Sequence, residues 1–344
     1  MKTILRTIAA ISFAVGGTIA HSAERTVLSY SDLIGWDSDN HAAAFGAFLE
    51  TCRDLRNTEW RTLCSVAQQN PTPKMFFETF FRPILVHDGN EPLFTGYYES
   101  ELKGSLTRGG KYQYPLYAVP PEVVEGEQWA SRKEIESEGI LKNRGLEIAW
   151  VDNPLDAYFL QIQGSGRVIL PDGRKIRLGY GAKNGHAYKS IGKELIRQEI
   201  FEEHEASTKN ITDWIAENPQ QGRELLWHNP SYVFFRRVDE VPTEKGPLGA
   251  MNRSITSLRS VAVDPKYTPL GTPVWIEKDG ALPVNRLFIA QDTGGAIKGA
   301  QRADIFFGTG DAAGIEAGKV RDGGRLNQLW PIELAFAVEG IGEN

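Results

Sequence analysis

The stretch QDTGGAIKGAQRADIFFG, residues 291–308, decides how this chain is read. It sets Asp292 and Asp304 at the edges of two predicted strands, with the glycine pair Gly294-Gly295 in the loop between them. Aspartate is depleted in strands, so carboxylates at such positions need a reason. Asp304 stands between Ala303 and the apolar run Ile305-Phe306-Phe307, where burial would raise its pKa toward a general acid's range. Asp292 and Thr293 can bond nearby backbone N–H groups or hold Asp304, and the glycines permit close approach of a ligand. A third aspartate, Asp264 in VAVDPKYTPLGT, precedes Pro265 and reads as a turn former as readily as a functional group. Lys298 would lower the Asp304 pKa if its ammonium reached the carboxyl, so it is expected to point elsewhere or toward a substrate.

Outward from this stretch the texture is that of short strands: YVFFRRV, RSVAVD, TPVWIE, RLFIAQD, ADIFF and, near the end, ELAFAV. Turns at Pro269-Leu270-Gly271 and Asp322-Gly323-Gly324 separate several of them. Many short strands with Gly/Pro turns predict a small barrel rather than a parallel α/β sheet. Farther upstream, AYFLQIQGSGRVIL, the turn Pro171-Asp172-Gly173 and RKIRLGY predict a hairpin, with Ile176, Leu178 and Tyr180 alternating with Lys175 and Arg177. Helical spacing is predicted from Ser31 to about Val86, from about Ala187 to Glu203 with Tyr188, Ile191, Leu195 and Ile196 inward, and over ITDWIAE.

A chain of 344 residues, 41% of them hydrophobic, can bury a core divided between two domains. The net charge of -6, without any Lys/Arg block, argues against nucleic acid and favours a neutral or mixed-charge polymer. Lys2 and Arg6 precede an apolar stretch, residues 8–19, that is too short to span a bilayer. It reads as a signal peptide over residues 1–23, cleaved after Ala20 or Ala23. No cysteine follows it closely, so neither a lipid anchor nor stable membrane insertion is expected. Cys52 and Cys64 flank two helical pieces, the first carrying Phe45, Phe48, Leu49, Cys52 and Leu55 at helical spacing. In an oxidising compartment they are expected to pair, which contributes about 3 kcal/mol in the chain-entropy model.

Several superficial motifs fail. GYGAKNG and GHAYKSIGKE lack the spacing of dinucleotide and phosphate loops, and QGSGR has Gln163 where a nucleophile elbow needs glycine. The six histidines are scattered, so no metal and no cofactor is expected. A second constellation is aromatic and amide-rich: FTGYYES, YFLQIQGSGRV, GYGAKNGHAYKSIG and NPSYVFF. Sugars are bound by aromatic faces and by amides and hydroxyls. Thr95, Tyr97, Tyr98, Gln161, Gln163, Ser165, Asn184, Tyr188, Asn229 and Tyr232 supply such groups and are the candidate substrate-binding residues.

These motifs, together with DPKYTPLGT, QDTGGAIKG and RADIFFGTG, resemble the membrane-bound lytic murein transglycosylase A (MltA) family over nearly all of the chain after residue 23. The C-terminal part is similar to the three-aspartate (3D) domain. The resemblance implies a mainly β protein with a helical N-terminal segment. It also implies a double-psi β-barrel domain, residues 24–98 plus 236–344, with a second β-barrel domain, residues 99–235, inserted and the substrate cleft between them. It makes Asp304 the catalytic acid/base, with Asp292 and Asp264 in support. The implied activity is that of a periplasmic peptidoglycan lytic exotransglycosylase, cutting between N-acetylmuramic acid and N-acetylglucosamine without water to leave 1,6-anhydro ends. The implied partners are peptidoglycan glycan strands, with cell-wall synthesis or division complexes as the source of any protein partner. A hydrolytic muramidase using a second carboxylate and a non-catalytic glycan-binding module are the competing readings.

Overall fold

A computed structural model describes residues 23–55 and 58–339. The expected signal peptide therefore falls, but for Ala23, outside the described residues. The short strand β1 (Glu24–Val27) leads into three helices, α1 (His41–Thr51), α2 (Thr58–Ala67) and α3 (Pro73–Phe80). The Asn40 side chain caps α1 by accepting from the Ala43 N–H, and Pro73 opens α3. The apolar faces meet in an aromatic cluster in which Phe45, Phe48, Phe76, Phe77 and Phe81 are buried. Edge-to-face ring pairs at 5.2 Å (Phe45–Phe76) and 6.1 Å (Phe48–Phe81) account for its order. Cys52 and Cys64 are bonded at its edge, with Cα atoms 5.4 Å apart.

The helical expectation to Val86 is corrected here: Phe81–His87 is strand β2. Pro83 cannot continue a helix, and the β-branched Ile84 and Val86 point into a core beside Ala300 and Ala335. From β2 the main sheet runs β1-β2-β14-β10-β11-β9-β12-β3, where β14 is Gly324–Pro331, β10 Pro273–Lys278, β11 Val284–Thr293, β9 Ser260–Val263, β12 Arg302–Thr309 and β3 Leu93–Ser105. The two-residue strand β13 (Arg321–Asp322) pairs with β3. Two neighbour pairs, β9 with β11 and β12 with β3, are parallel, and the others antiparallel. Phe94, Val261, Val263, Phe288, Ala303 and Ile305 fill the interior of this sheet. Since strand side chains alternate, burying Ala303 and Ile305 turns Arg302 and Asp304 to the opposite face.

Strand β3 is 13 residues long and serves two sheets. Residues 93–99 pair with β12, whereas Ser100–Lys103 pair with β6 (Gly166–Ile169), and Gly104 and Ser105 pair with β5 (Glu147–Val151). Strands β7 (Lys175–Lys183) and β8 (Val233–Arg237) continue the second sheet, and β4 (Tyr114–Tyr117) pairs with β5. Glu99 sits at the crossing, fully buried. Its Oε2 accepts from Arg167 Nε at 2.8 Å and from the Thr309 hydroxyl at 2.7 Å, while Oε1 lies 3.1 Å from Arg177 Nε as an ion pair. Arg167 and Arg177 also donate to the Lys245 carbonyl, which joins the chain returning from the second sheet to the node.

Helices α4 (Arg132–Ser137), α5 (Pro154–Gln163), α6 (Ile191–Arg197), α7 (Thr208–Glu217) and α8 (Pro219–His228) flank the second sheet. Three expectations are corrected here. AYFLQIQ lies in α5 rather than in a hairpin strand, because Asn153 caps it, Pro154 opens it and Gly164, at φ 78°, closes it. Only β6 and the start of β7 form the hairpin. Helix α6 begins after its cap Ser190, so Tyr188 precedes it, and α8 adds a helix that polar composition concealed. ELAFAV belongs to α10 (Ile332–Glu339), following α9 (Asp311–Ala317) and β14; Ala335 packs inward there, and Phe336 is exposed. Removing the carboxylate in Glu99→Ala leaves two buried guanidinium groups without a counter-charge, so urea unfolding is expected to show a loss of about 3–5 kcal/mol.

Candidate active site

Asp304 and Thr95 face each other across the parallel pair β12 and β3. The Thr95 hydroxyl donates to Asp304 Oδ1 at 2.6 Å. Arg302, two residues back on the same face of β12, donates from Nη2 to Thr95 Oγ1 at 2.8 Å and from Nη1 to the carbonyls of Leu93 (3.2 Å) and Ala303 (2.6 Å). Among the described residues, Asp304 Oδ2 accepts no hydrogen bond, and the side chain stays half-buried, within reach of a ligand. Burial pushes the Asp304 carboxyl above its usual range, against the opposing pull of the Thr95 bond and the Arg302 charge.

Asp292 differs in every respect that matters to a proton. Its Oδ2 accepts from the Tyr97 hydroxyl at 2.8 Å, and its Oδ1 accepts from the N–H groups of Ala250 (3.0 Å) and Thr293 (2.9 Å). Burial raises its pKa to about 6, its three hydrogen bonds oppose the rise, and the Asp304 charge adds to it. The Tyr97 phenol is held well above its ordinary value, first by burial and then by the Asp292 charge. Tyr97 also packs on Phe306 at 5.3 Å, so one aromatic wall borders both carboxyls.

Asp264 does something else. It is 6% exposed and accepts from the N–H groups of Lys266 (3.2 Å) and Gly299 (3.0 Å), fastening the glycine loop to the end of β9. Neither of its oxygens bonds a residue around Asp304, so any support it lends the acid runs through the loop that it anchors. The Lys298 ammonium lies 4.0 Å from Asp264 and is largely exposed, pointing elsewhere as anticipated.

The aromatic and amide set divides. Tyr97, Tyr98, Gln163 and Ser165 remain half-buried and Tyr188 is 40% exposed, with the Gln163 carbonyl accepting from the Tyr98 N–H and so tying the end of α5 to β3. Gln161, Asn184, Asn229 and Tyr232 are all buried, and the amides hydrogen-bond within the fold. Asn184 donates to the carbonyls of Ala130 and Pro230 and accepts from the Tyr232 N–H; Asn229 accepts from the N–H groups of Lys189 and Ser231. Gln161 accepts from Arg132, a fully buried cation that stacks on Tyr158 and Tyr232 and that no sequence signal singled out. Thr95, expected to meet substrate, has its hydroxyl on Asp304. Arg302 was legible in principle, because a strand places residues two apart on one face.

Among the described residues, no three His, Cys, Asp or Glu side chains converge as a metal site. A cavity of about 570 Å³ among α6, α7 and α8, lined by Trp214, Trp227 and Glu194, contains none of the three aspartates.

Residues 93–236 match the MltA specific insert domain, and residues 259–330 match the 3D domain. The chain is similar to a crystal structure of a membrane-bound lytic murein transglycosylase from Agrobacterium tumefaciens, with a TM-score of 0.82 and 31% identity over 91% of this chain and 99% of that one. The chain belongs to the MltA family. A structure of Escherichia coli MltA with bound chitohexaose matches with a TM-score of 0.71 and 29% identity over 89% of this chain and 94% of that one. The membrane-bound lytic murein transglycosylase A of Vibrio cholerae is 35% identical over 248 residues, 69% of this chain. The chain spans 65% of the length of that relative. Within this MltA-family site, the raised Asp292 pKa carries a sign. The folded state favours the protonated acid, so the stabilising contribution is complete below the unfolded pKa and is lost as pH rises through about 6. Asp292→Asn keeps both bonding edges without the charge; its melting temperature is expected to exceed that of the parent at pH 7.5 and to match it at pH 3.5.

Proposed function

We propose that the protein is a peptidoglycan lytic transglycosylase, cleaving the β-1,4 bond between N-acetylmuramic acid and N-acetylglucosamine without water. The observation that carries this reading is the pairing of one half-occupied carboxyl, Asp304, with one fully occupied carboxyl, Asp292. A single group with one free oxygen and a raised pKa suits a reaction in which the same residue gives and then takes a proton. Asp304 protonates the glycosidic oxygen, and the C1–O bond breaks. The resulting carboxylate takes the proton from the muramic C6 hydroxyl as that oxygen closes on C1, leaving a 1,6-anhydro ring and the acid restored. Asp292 and the Tyr97 hydroxyl beside it provide negative potential for the developing positive charge at C1. A hydrolase would need a second carboxylate to activate water or to attack, whereas Asp292 is held by three hydrogen bonds beside Tyr97 and the one-carboxylate reaction asks nothing of it beyond its charge.

The domain division goes with this reading: residues 24–98 plus 236–344 as one barrel, residues 99–235 inserted, and the glycan between them against Tyr97, Tyr98, Gln163, Ser165 and Tyr188. The family relative holding chitohexaose supports a β-1,4-linked amino-sugar chain as ligand. The periplasm, where that polymer lies, is the site of action. The expectation of no membrane attachment stands against relatives named membrane-bound, although no described helix is long and apolar enough to cross a membrane. Digestion of purified sacculi is expected to yield muropeptides one water lighter than hydrolytic products, and reducing ends alone would sink the proposal. Asp304→Asn is expected to slow clearance by roughly 10²–10⁴-fold, the usual contribution of a general acid. Clearance at the parent rate would point instead to a glycan-binding module.

A further inference from the structure

The guanidinium of Arg302 is half-buried, yet among the described residues no carboxylate lies within ion-pairing distance of it. It is fastened instead to the carbonyls of Leu93 and Ala303, one on each of the two paired strands, and to the Thr95 hydroxyl. We propose that Arg302 is the positioning residue that fixes the acid proton of Asp304 on Oδ2, the oxygen free to meet a substrate. The argument deepens the acid/base reading above and rests on that reading for its meaning in turnover.

Arginine has only donors, so Thr95 Oγ1 must accept from it. A hydroxyl has one hydrogen, and among the described residues Asp304 Oδ1 is the one acceptor in reach of it, at 2.6 Å. Were Oδ1 to carry the acid proton, it would donate to Thr95 and leave the threonine hydrogen unpaired in a half-buried site, which costs free energy. The proton of the neutral acid therefore belongs to Oδ2. Once that proton is given up, the Arg302 charge and the Thr95 bond stabilise the carboxylate. This opposes the burial that would otherwise make loss of the first proton too costly for Asp304 to act as an acid.

The other groups facing Asp304 leave this role to Arg302. Strand β3 adds the Tyr97 phenol, which is neutral because its pKa is held well above the ordinary value, and β11 adds Asp292, whose charge and that of Asp304 oppose each other. Strand β9, Ser260–Val263, has no charged residue. On β13, Arg321 is paired with Glu203 at 2.9 Å; on α9, Glu316 is paired with Lys319 and Asp311 opens the helix.

The test is a carbon-13 NMR titration of protein labelled at aspartate carboxyls, with the Asp304 signal assigned by its absence in Asp304→Asn. Arg302→Met is expected to raise the Asp304 midpoint by roughly one pH unit, the low end of what loss of a neighbouring opposite charge does. Arg302→Lys is expected to return most of that shift. Thr95→Val, isosteric and without the hydroxyl, is expected to raise the midpoint too, and Arg302→Met is then expected to add less than it does in the parent. In turnover, the alkaline limb of kcat/KM is expected to move upward with the midpoint. An Asp304 midpoint unmoved in Arg302→Met overturns the assignment; if that variant does not fold, an unmoved midpoint in Thr95→Val does so. Sacculi left intact by the parent would remove the lytic reading, while the titration still decides the role of Arg302.

Discussion

Everything at the site depends on strand β3 running unbroken from one sheet into the other. Its first half lies parallel to β12 and its second half parallel to β6, with Glu99 buried where the partners change. The cost of desolvating that carboxylate is offset by two guanidinium groups, a hydroxyl and their ties to the Lys245 carbonyl. Such a node also fixes register. A slip of one residue would turn Phe94 out of the core and Thr95 into it, and Thr95 would lose its place opposite Asp304.

With register fixed, the chemistry follows from how many partners each carboxyl has. Asp292 accepts from two backbone N–H groups and a phenol, with both oxygens bonded, which holds a buried acid in place. Asp304 has one hydroxyl on one oxygen and, among the described residues, no partner on the other, which leaves an acid able to react. Close approach of the surrounding backbone makes the difference possible. A Cβ at Gly249 would come within 2.7 Å of the Gln291 carbonyl oxygen, so only glycine lets the segment bearing the Ala250 N–H reach Asp292. A Cβ at Gly96 would strike the backbone of Ala317 at 2.7 Å, so glycine there seats α9 directly on β3 between Thr95 and Tyr97.

Reading by residue type succeeded where the signal was local and failed where it was shared between structures. The run RADIFF alternates in and out as a strand should, and that alternation alone exposes Asp304 beside a buried Ala303 and Ile305. AYFLQIQ and ELAFAV have strand composition but helical ends: Asn153-Pro154 and Gly164 around the first were the stronger signal, and composition overrode it. Asn184, Asn229 and Tyr232 looked like sugar ligands because amides and phenols satisfy hydroxyls. They satisfy buried backbone groups equally well, and nothing in residue type distinguishes the two uses.

The sequence by itself determined the aspartates, the glycine loop, the strand-rich texture, and the ordered motifs that place the chain in its family. Those properties are carried by residue identity and short spacing. Only the tertiary structure decided which aspartate is free and which is bonded through both oxygens, that Thr95 lies against Asp304 from 209 positions away, and that Arg302 rather than Lys298 is the cation beside the acid. Hydrogen-bond occupancy and local charge depend on strand register across distant segments, and register is set by the packing of the whole sheet.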